Sequence, residues 1–343
     1  MPTIRQTIYL AIPMPSIEFG APEVGWARDA LYDTLDELCG LSRQIPLNLL
    51  DYGIHFPVIE LLGSSNLNQY NDWPVESRKE DWEILIIDLN IAFSLEILAS
   101  AEDGLLPIGA HKCMIQHYLI KRVSDILLAA NIACPGSIEL ASSIVVQDGE
   151  VQVYSQVPTM DGFVLQEGIE LANSVGWPIV RRLQFEQVWS WLGCKDLITD
   201  GFDTGATGRA LAAFSRTFEQ ERIDAAMKLV WTMIGIEALY VKGKASVVEQ
   251  VREKILSFLG SHPSNKKRIS QTYETRSRFI HGDLAFPGIY LLADATDASH
   301  RYNKQHSDAV NLASAILVST LQELIHRGWI ELEFSYIESA PAI

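Results

Sequence analysis

The sequence predicts a mainly α-helical protein in two parts. Residues 181–343 read as a helical bundle, and residues 1–180 as a mixed α/β, mostly helical domain. Three observations carry this. Apolar residues recur at three- and four-residue spacing through most of the C-terminal half. The strongest hairpin signal, two β-branched runs around Asp148-Gly149, lies in the N-terminal half. The charge also changes character near residue 180: residues 1–180 hold 24 Asp/Glu against 8 Lys/Arg, and residues 181–343 hold 19 of each.

A chain of 343 residues has room for two cores, and 48% apolar content belongs to a folded protein. A net charge of −16 argues against indiscriminate nucleic-acid binding. Cys39, Cys113, Cys134 and Cys194 form no Cys-x-x-Cys pair, which predicts reduced thiols and a cytoplasmic location. The N-terminus lacks the organisation of a secretion signal, and the apolar runs are short and broken by charge, so no membrane span is expected.

Taken in order, residues 3–12 predict a strand stopped by Pro13 and Pro15. Trp26, Ala30, Leu31, Leu35 and Leu38 predict a helix from Val24 to Leu41, with Gly40 near its end. Residues 42–75 read as irregular, with turn chemistry at Gly63 and at Asn71-Asp-Trp-Pro74. Glu80 to Ala101 reads as a long helix, and Ile108 to Ala133 as a second, stopped by Pro135-Gly136. The hairpin follows over Ile144–Tyr154, and residues 155–185 read as a connector. In the second part, helices are expected over Phe185–Leu192, Arg209–Phe218, Glu221–Val241, Ser246–Leu259, from Ser264 to His281, and Ser307–Arg327. A final strand is expected over Trp329–Tyr336.

Two charged residues fall on apolar stripes. Ile269, Tyr273, Arg276 and Ile280 lie within about a quarter turn of one another. Glu237 lies near a stripe of Ile223, Met227, Val230, Ile234 and Val241. Unpaired charges there would be costly, so the two stripes are expected to face each other with Glu237 and Arg276 paired. His281 falls at the end of the Arg276 helix, and Gly282 suits the left-handed position after it. Five basic residues, Lys266, Lys267, Arg268, Arg276 and Arg278, surround one acid, Glu274. That patch reads as an RNA-contacting face or a solvated one.

Guanidinium and imidazole together suit metal-free RNA cleavage, in which a 2′-hydroxyl attacks the adjacent phosphate. Imidazole moves protons, and guanidinium carries the charge that builds on the phosphoryl oxygens. The string Tyr273-Glu-Thr-Arg276-Ser277-Arg278-Phe-Ile-His281-Gly282, with the upstream Ile236-Glu237-Ala238-Leu239, resembles the HEPN superfamily and most closely its Apea-like branch. The resemblance covers about residues 181–328. It implies an endoribonuclease leaving 2′,3′-cyclic phosphate ends, in a defence, antiviral or toxin–antitoxin setting. By the same resemblance Arg276 stabilises the pentacoordinate phosphate, His281 transfers protons and Glu237 orients Arg276. Ser277 contacts phosphate or caps locally, and Tyr273 packs. The resemblance also implies a homodimer with two motifs lining one cleft. The acidic N-terminal half would bind a regulatory protein or ligand.

No cofactor or metal is expected. His111, Cys113 and His117 share a helix without a fourth ligand, and His281 with Asp283 gives too few donors. The competing reading is a non-catalytic HEPN dimerisation or binding module in which Arg276 and Glu237 lock the bundle and His281 caps a helix.

Overall fold

The computed structural model describes residues 3–13, 24–40, 53–54, 58–62, 82–92, 108–151, 157–193, 205–218, 225–243, 246–260, 263–284 and 297–334. The protein is mainly α-helical, with nine helices among these residues. The chain divides into two compact units. One is Met1–Phe163 with Arg182–Trp189 and Phe218–Glu221. The other is Val164–Arg181 with Ser190–Thr217 and Arg222–Ile343.

In the first unit the elements run β1 (Thr3–Pro13), α1 (Val24–Gly40), β2 (Gly53–Ile54), β3 (Val58–Leu62), β4 (Trp82–Ala92), α2 (Ile108–Ala133), β5 (Ser142–Gln147) and β6 (Glu150–Val151). All pairs are antiparallel. β1 is central, flanked by β4 over its full length and by β5, while β3 and the short β2 pair with β4 and β6 pairs with β5. Reduced to β1-α1-β3-β4-α2-β5 with spatial order β3-β4-β1-β5, this is the split βαβ connectivity of a ferredoxin-like plait. Period two shows at the centre of β1: Ile8, Leu10 and Ile12 are fully buried while Thr7 and Tyr9 are half-buried, and further along the small Ala11 is buried as well.

The expected hairpin forms at Asp148-Gly149. Both residues take positive φ, 51° and 90°, as a two-residue primed turn requires. Pro135-Gly136 stops α2 as expected. Buried Asn131 secures that turn by donating to the Leu127 and Ile138 carbonyls and accepting from the Gly136 N–H.

The Glu80–Ala101 helix is corrected: residues 82–92 are β4. The run Ile84-Leu-Ile-Ile87 satisfies helical and strand periods equally, since a continuous apolar run carries no period. The eleven-residue register with β1 decides between them. Residues 93–101 lie outside the described residues, as do Tyr154, 335–336 and most of 42–75. Within 42–75, two strands form where irregular chain was expected.

The second unit is built from α3 (Phe163–Val175), α4 (Phe185–Gly193), α5 (Ala206–Arg216), α6 (Ala225–Tyr240), α7 (Val247–Leu259), α8 (Pro263–Ile280) and α9 (Asp297–Arg327); α3 and α4 each begin in the first. α3 corrects the expected connector. Leu165, Ile169 and Ala172 are buried at helical spacing. Asp161-Gly162 and Gly176, which resemble loop chemistry, are the helix's entry and its left-handed stop. α9 supplies the core. By length and composition its stretch His306–Arg327 could cross a membrane, but 89% of it is buried within the protein.

The helices approach α9 closely at glycines. A Cβ on Gly235 of α6 would lie 2.8 Å from Leu317 Cδ2, and one on Gly168 of α3 would lie 2.8 Å from the Asn311 carbonyl oxygen. A leucine side chain can shift but a helix backbone cannot. Gly168→Val is therefore expected to destabilise the protein by about 1–3 kcal/mol, measured as a lower urea midpoint at unchanged slope.

Two further expectations are corrected. On α6 the buried face is Ala226, Leu229, Val230, Met233, Ile236, Leu239 and Tyr240, whereas Met227 and Ile234 are 37% and 36% exposed. The helix is apolar nearly all round, so periodicity chose the wrong side. After α9, residues 329–334 form no strand. Two of their carbonyls accept from side chains instead: Trp191 Nε1 donates to Trp329, and Thr207 Oγ1 donates to Ile330.

Candidate functional site

The site is built on α8 and α6. Pro263 opens α8, where its missing N–H costs nothing. Asn265, Ile269 and Thr272 form its buried face, and Arg276 continues that face by one further turn. The helix ends in a Schellman motif: the Gly282 N–H donates to the Phe279 carbonyl at 3.1 Å and the Asp283 N–H to the Arg278 carbonyl at 2.8 Å. Gly282 has φ +78°, the left-handed position expected of it, and His281 is the cap residue with an exposed side chain.

Near the end of α6, the Glu237 carboxylate meets α8. Arg276 Nη2 lies 3.6 Å from Glu237 Oε1, forming the expected pair. The two side chains are 21% and 25% exposed, so the pair is open to solvent at one side. The Tyr273 hydroxyl donates to the same Oε1 at 2.6 Å. The Arg276 guanidinium carbon lies 5.8 Å from the centroid of the Tyr273 ring, within cation–π range. Arg276 Nε is buried without a hydrogen-bond partner. Partial burial and the Glu237 carboxylate push the Tyr273 phenol well above its ordinary range, so it stays a donor.

The expected role of Tyr273 as packing alone is thus incomplete, because its hydroxyl is the closest partner of the carboxylate. The available signal was its position three residues before Arg276 on the stripe that meets Glu237. Ser277 is half-buried and its carbonyl accepts the His281 N–H. Lys266, Lys267 and Arg278 are exposed, and Arg268 is half-buried.

Helical geometry separates Arg276 and His281 by about 140° around the axis and about 7.5 Å along it. Lys267, Arg278 and His281 therefore share the outer face of α8, and Arg276 points toward α6. Among the described residues no hydrogen bond or ion pair joins the His281 side chain to the Tyr273, Glu237 and Arg276 group. Another histidine, His306 of α9, lies edge-on to Phe279 at 6.2 Å and is fully buried.

Among the described residues no three potential metal-ligating side chains cluster. Comparison of the chain with family models, with curated proteins and with solved structures found no match.

Proposed function

We propose that the chain is a metal-independent endoribonuclease of Apea-like HEPN type, working in a defence or toxin-type setting. One observation carries the reading. Arg276 is held in place by a carboxylate and a phenol, is partly solvent-open, and makes no hydrogen bond of its own among the described residues, five residues before an exposed imidazole. A structural arginine would be expected to satisfy its five donors within the fold. This one keeps its Nη donors for a phosphodiester, with Nε buried behind them. His281 then moves the proton between the 2′-hydroxyl and the leaving oxygen, and Lys266, Lys267, Arg268 and Arg278 hold the backbone.

The reaction needs an acid and a base, and each chain offers one exposed imidazole at the motif. Because Arg276 and His281 diverge on one helix, a second copy completes the site across a two-fold axis. The exposed Met227 and Ile234 of α6 and Ile280 of α8 supply apolar surface for that contact. The acidic N-terminal half, net −16 over residues 1–180, is the regulatory or partner-binding part and repels stray RNA. The runner-up, a non-catalytic binding module in the cytoplasm, is favoured by the Schellman motif, which by itself gives His281 and Gly282 a structural use.

The test is incubation of the purified protein with total RNA in chelator. The expected products end in 2′,3′-cyclic phosphate, DNA remains intact because it lacks the 2′-hydroxyl, and light scattering gives twice the 38.3 kDa chain mass. Intact RNA under all conditions would leave the binding module in its place.

A further inference from the structure

We infer that Tyr273 is a positioning residue: its hydroxyl occupies the Glu237 oxygen that Arg276 approaches, and so keeps the guanidinium tethered but available to a phosphate. The distances carry the inference. Both groups address Oε1, the phenol at 2.6 Å and Arg276 Nη2 at 3.6 Å. The first is a short charge-assisted hydrogen bond, and the second is an ion pair without a hydrogen bond. Without the phenol, the carboxylate would draw the guanidinium into a hydrogen-bonded fork, the usual geometry of this pair. Its donors would then be spent inside the protein. The Tyr273 ring also borders the cation at 5.8 Å, so one side chain both occupies the carboxylate and flanks the arginine. When Arg276 turns to a phosphate, Glu237 keeps a partner and is not left as an unpaired, half-buried charge.

The phenol suits this role because it holds its proton well above its ordinary range, so the contact persists across the working pH of the protein. The inference deepens the ribonuclease reading, but its first step, phosphate capture by Arg276, does not require cleavage.

The test follows the Arg276 Nε–H resonance, assigned by its loss in Arg276→Lys, while inorganic phosphate is added to the full chain. Wild type is expected to show a saturating shift. In Tyr273→Phe, half-saturation should need about tenfold more phosphate, the effect of one lost hydrogen bond to a charged group. In Glu237→Gln the carboxylate no longer competes, so adding Tyr273→Phe to it should change half-saturation less than twofold. A merely structural tyrosine would lower thermal stability equally in both backgrounds and leave the phosphate titration alone. If Tyr273→Phe titrates like wild type, or Arg276 does not respond to phosphate at all, the inference fails. A response to phosphate with the expected coupling but no RNA cleavage would retain the inference and remove the nuclease.

Discussion

Arg276→Ala is expected to slow RNA cleavage by about a hundred- to a thousandfold, the usual cost of removing one preorganised donor to a developing oxyanion. The loss should fall on turnover. Ground-state RNA affinity should fall by less than turnover does: one phosphate contact is lost, while Lys266, Lys267 and Arg278 on the exposed surface of α8 still hold the backbone. The fold should survive. Glu237 keeps the Tyr273 hydroxyl at 2.6 Å, and the pair is 21% and 25% exposed, so the stability cost is nearer 1 kcal/mol than that of a sealed ion pair. His281→Ala should show a similar loss, and the double variant should be little worse than either single one, because groups serving one transition state do not add. Cleavage rates in chelator, beside melting temperatures, make the check. Full activity in a folded Arg276→Ala protein would remove the arginine from the chemistry. A similar loss with a collapsed melting temperature would assign it to the bundle.

The local code was readable wherever one physical signal dominated. Asp148-Gly149 specifies a primed turn because few residues other than glycine and asparagine or aspartate take positive φ cheaply, and the hairpin forms there. Gly282 ends α8 for the same reason. The helix boundaries at Ala133 and Leu259 follow from Pro135-Gly136 and Gly260. Reading failed where the apolar pattern lacked a period. The run Ile84 to Ile87 has no polar interruption, so only pairing with β1, a contact some 75 residues away in sequence, makes it a strand. α6 failed for the complementary reason: it is a helix, but its faces are nearly equal in hydropathy, and close approach at Gly235 chooses which is buried. The Glu237–Arg276 pair survived that error because Glu237 lies at the border of the buried face, beside buried Ile236 and part-exposed itself, so either choice of face leaves it within reach of α8. For the Tyr273 hydroxyl the position beside Arg276 was a signal but not a decisive one, because a tyrosine on an apolar stripe offers a ring as well as a donor. Only the distance to Glu237 separates the two uses.

Glu323→Ala is expected to destabilise the protein by about 2–3 kcal/mol at neutral pH. Glu323 sits on α9 with its side chain 12% exposed and holds two guanidiniums, Arg181 through Nη1 and Arg327 through Nε at 2.7 Å. Next to it, the Gln322 side-chain amide accepts from the Arg181 N–H at 2.8 Å and donates to the Arg181 carbonyl at 2.6 Å, so one arginine is fixed by side chain and backbone together. Both guanidiniums are more than a third exposed, which places the cost below that of a sealed triad. Burial alone would raise the Glu323 carboxyl, but the hydrogen bonds and charges of Arg327 and Arg181 outweigh it and hold the group below its ordinary value of 4.5. A carboxyl lowered by folding contributes stability that is complete above its unfolded value and is lost as pH falls through the folded one. Glu323→Gln, an uncharged isostere, should therefore differ from wild type at pH 7, and the difference should shrink on acidification below about 4.5 as the wild-type side chain takes up its proton. Urea midpoints of the two proteins across that range measure it. A gap that stayed constant into acid would mean that Glu323 acts through shape and hydrogen bonding alone, whereas a closing gap assigns its stabilisation to the charge held between Arg181 and Arg327.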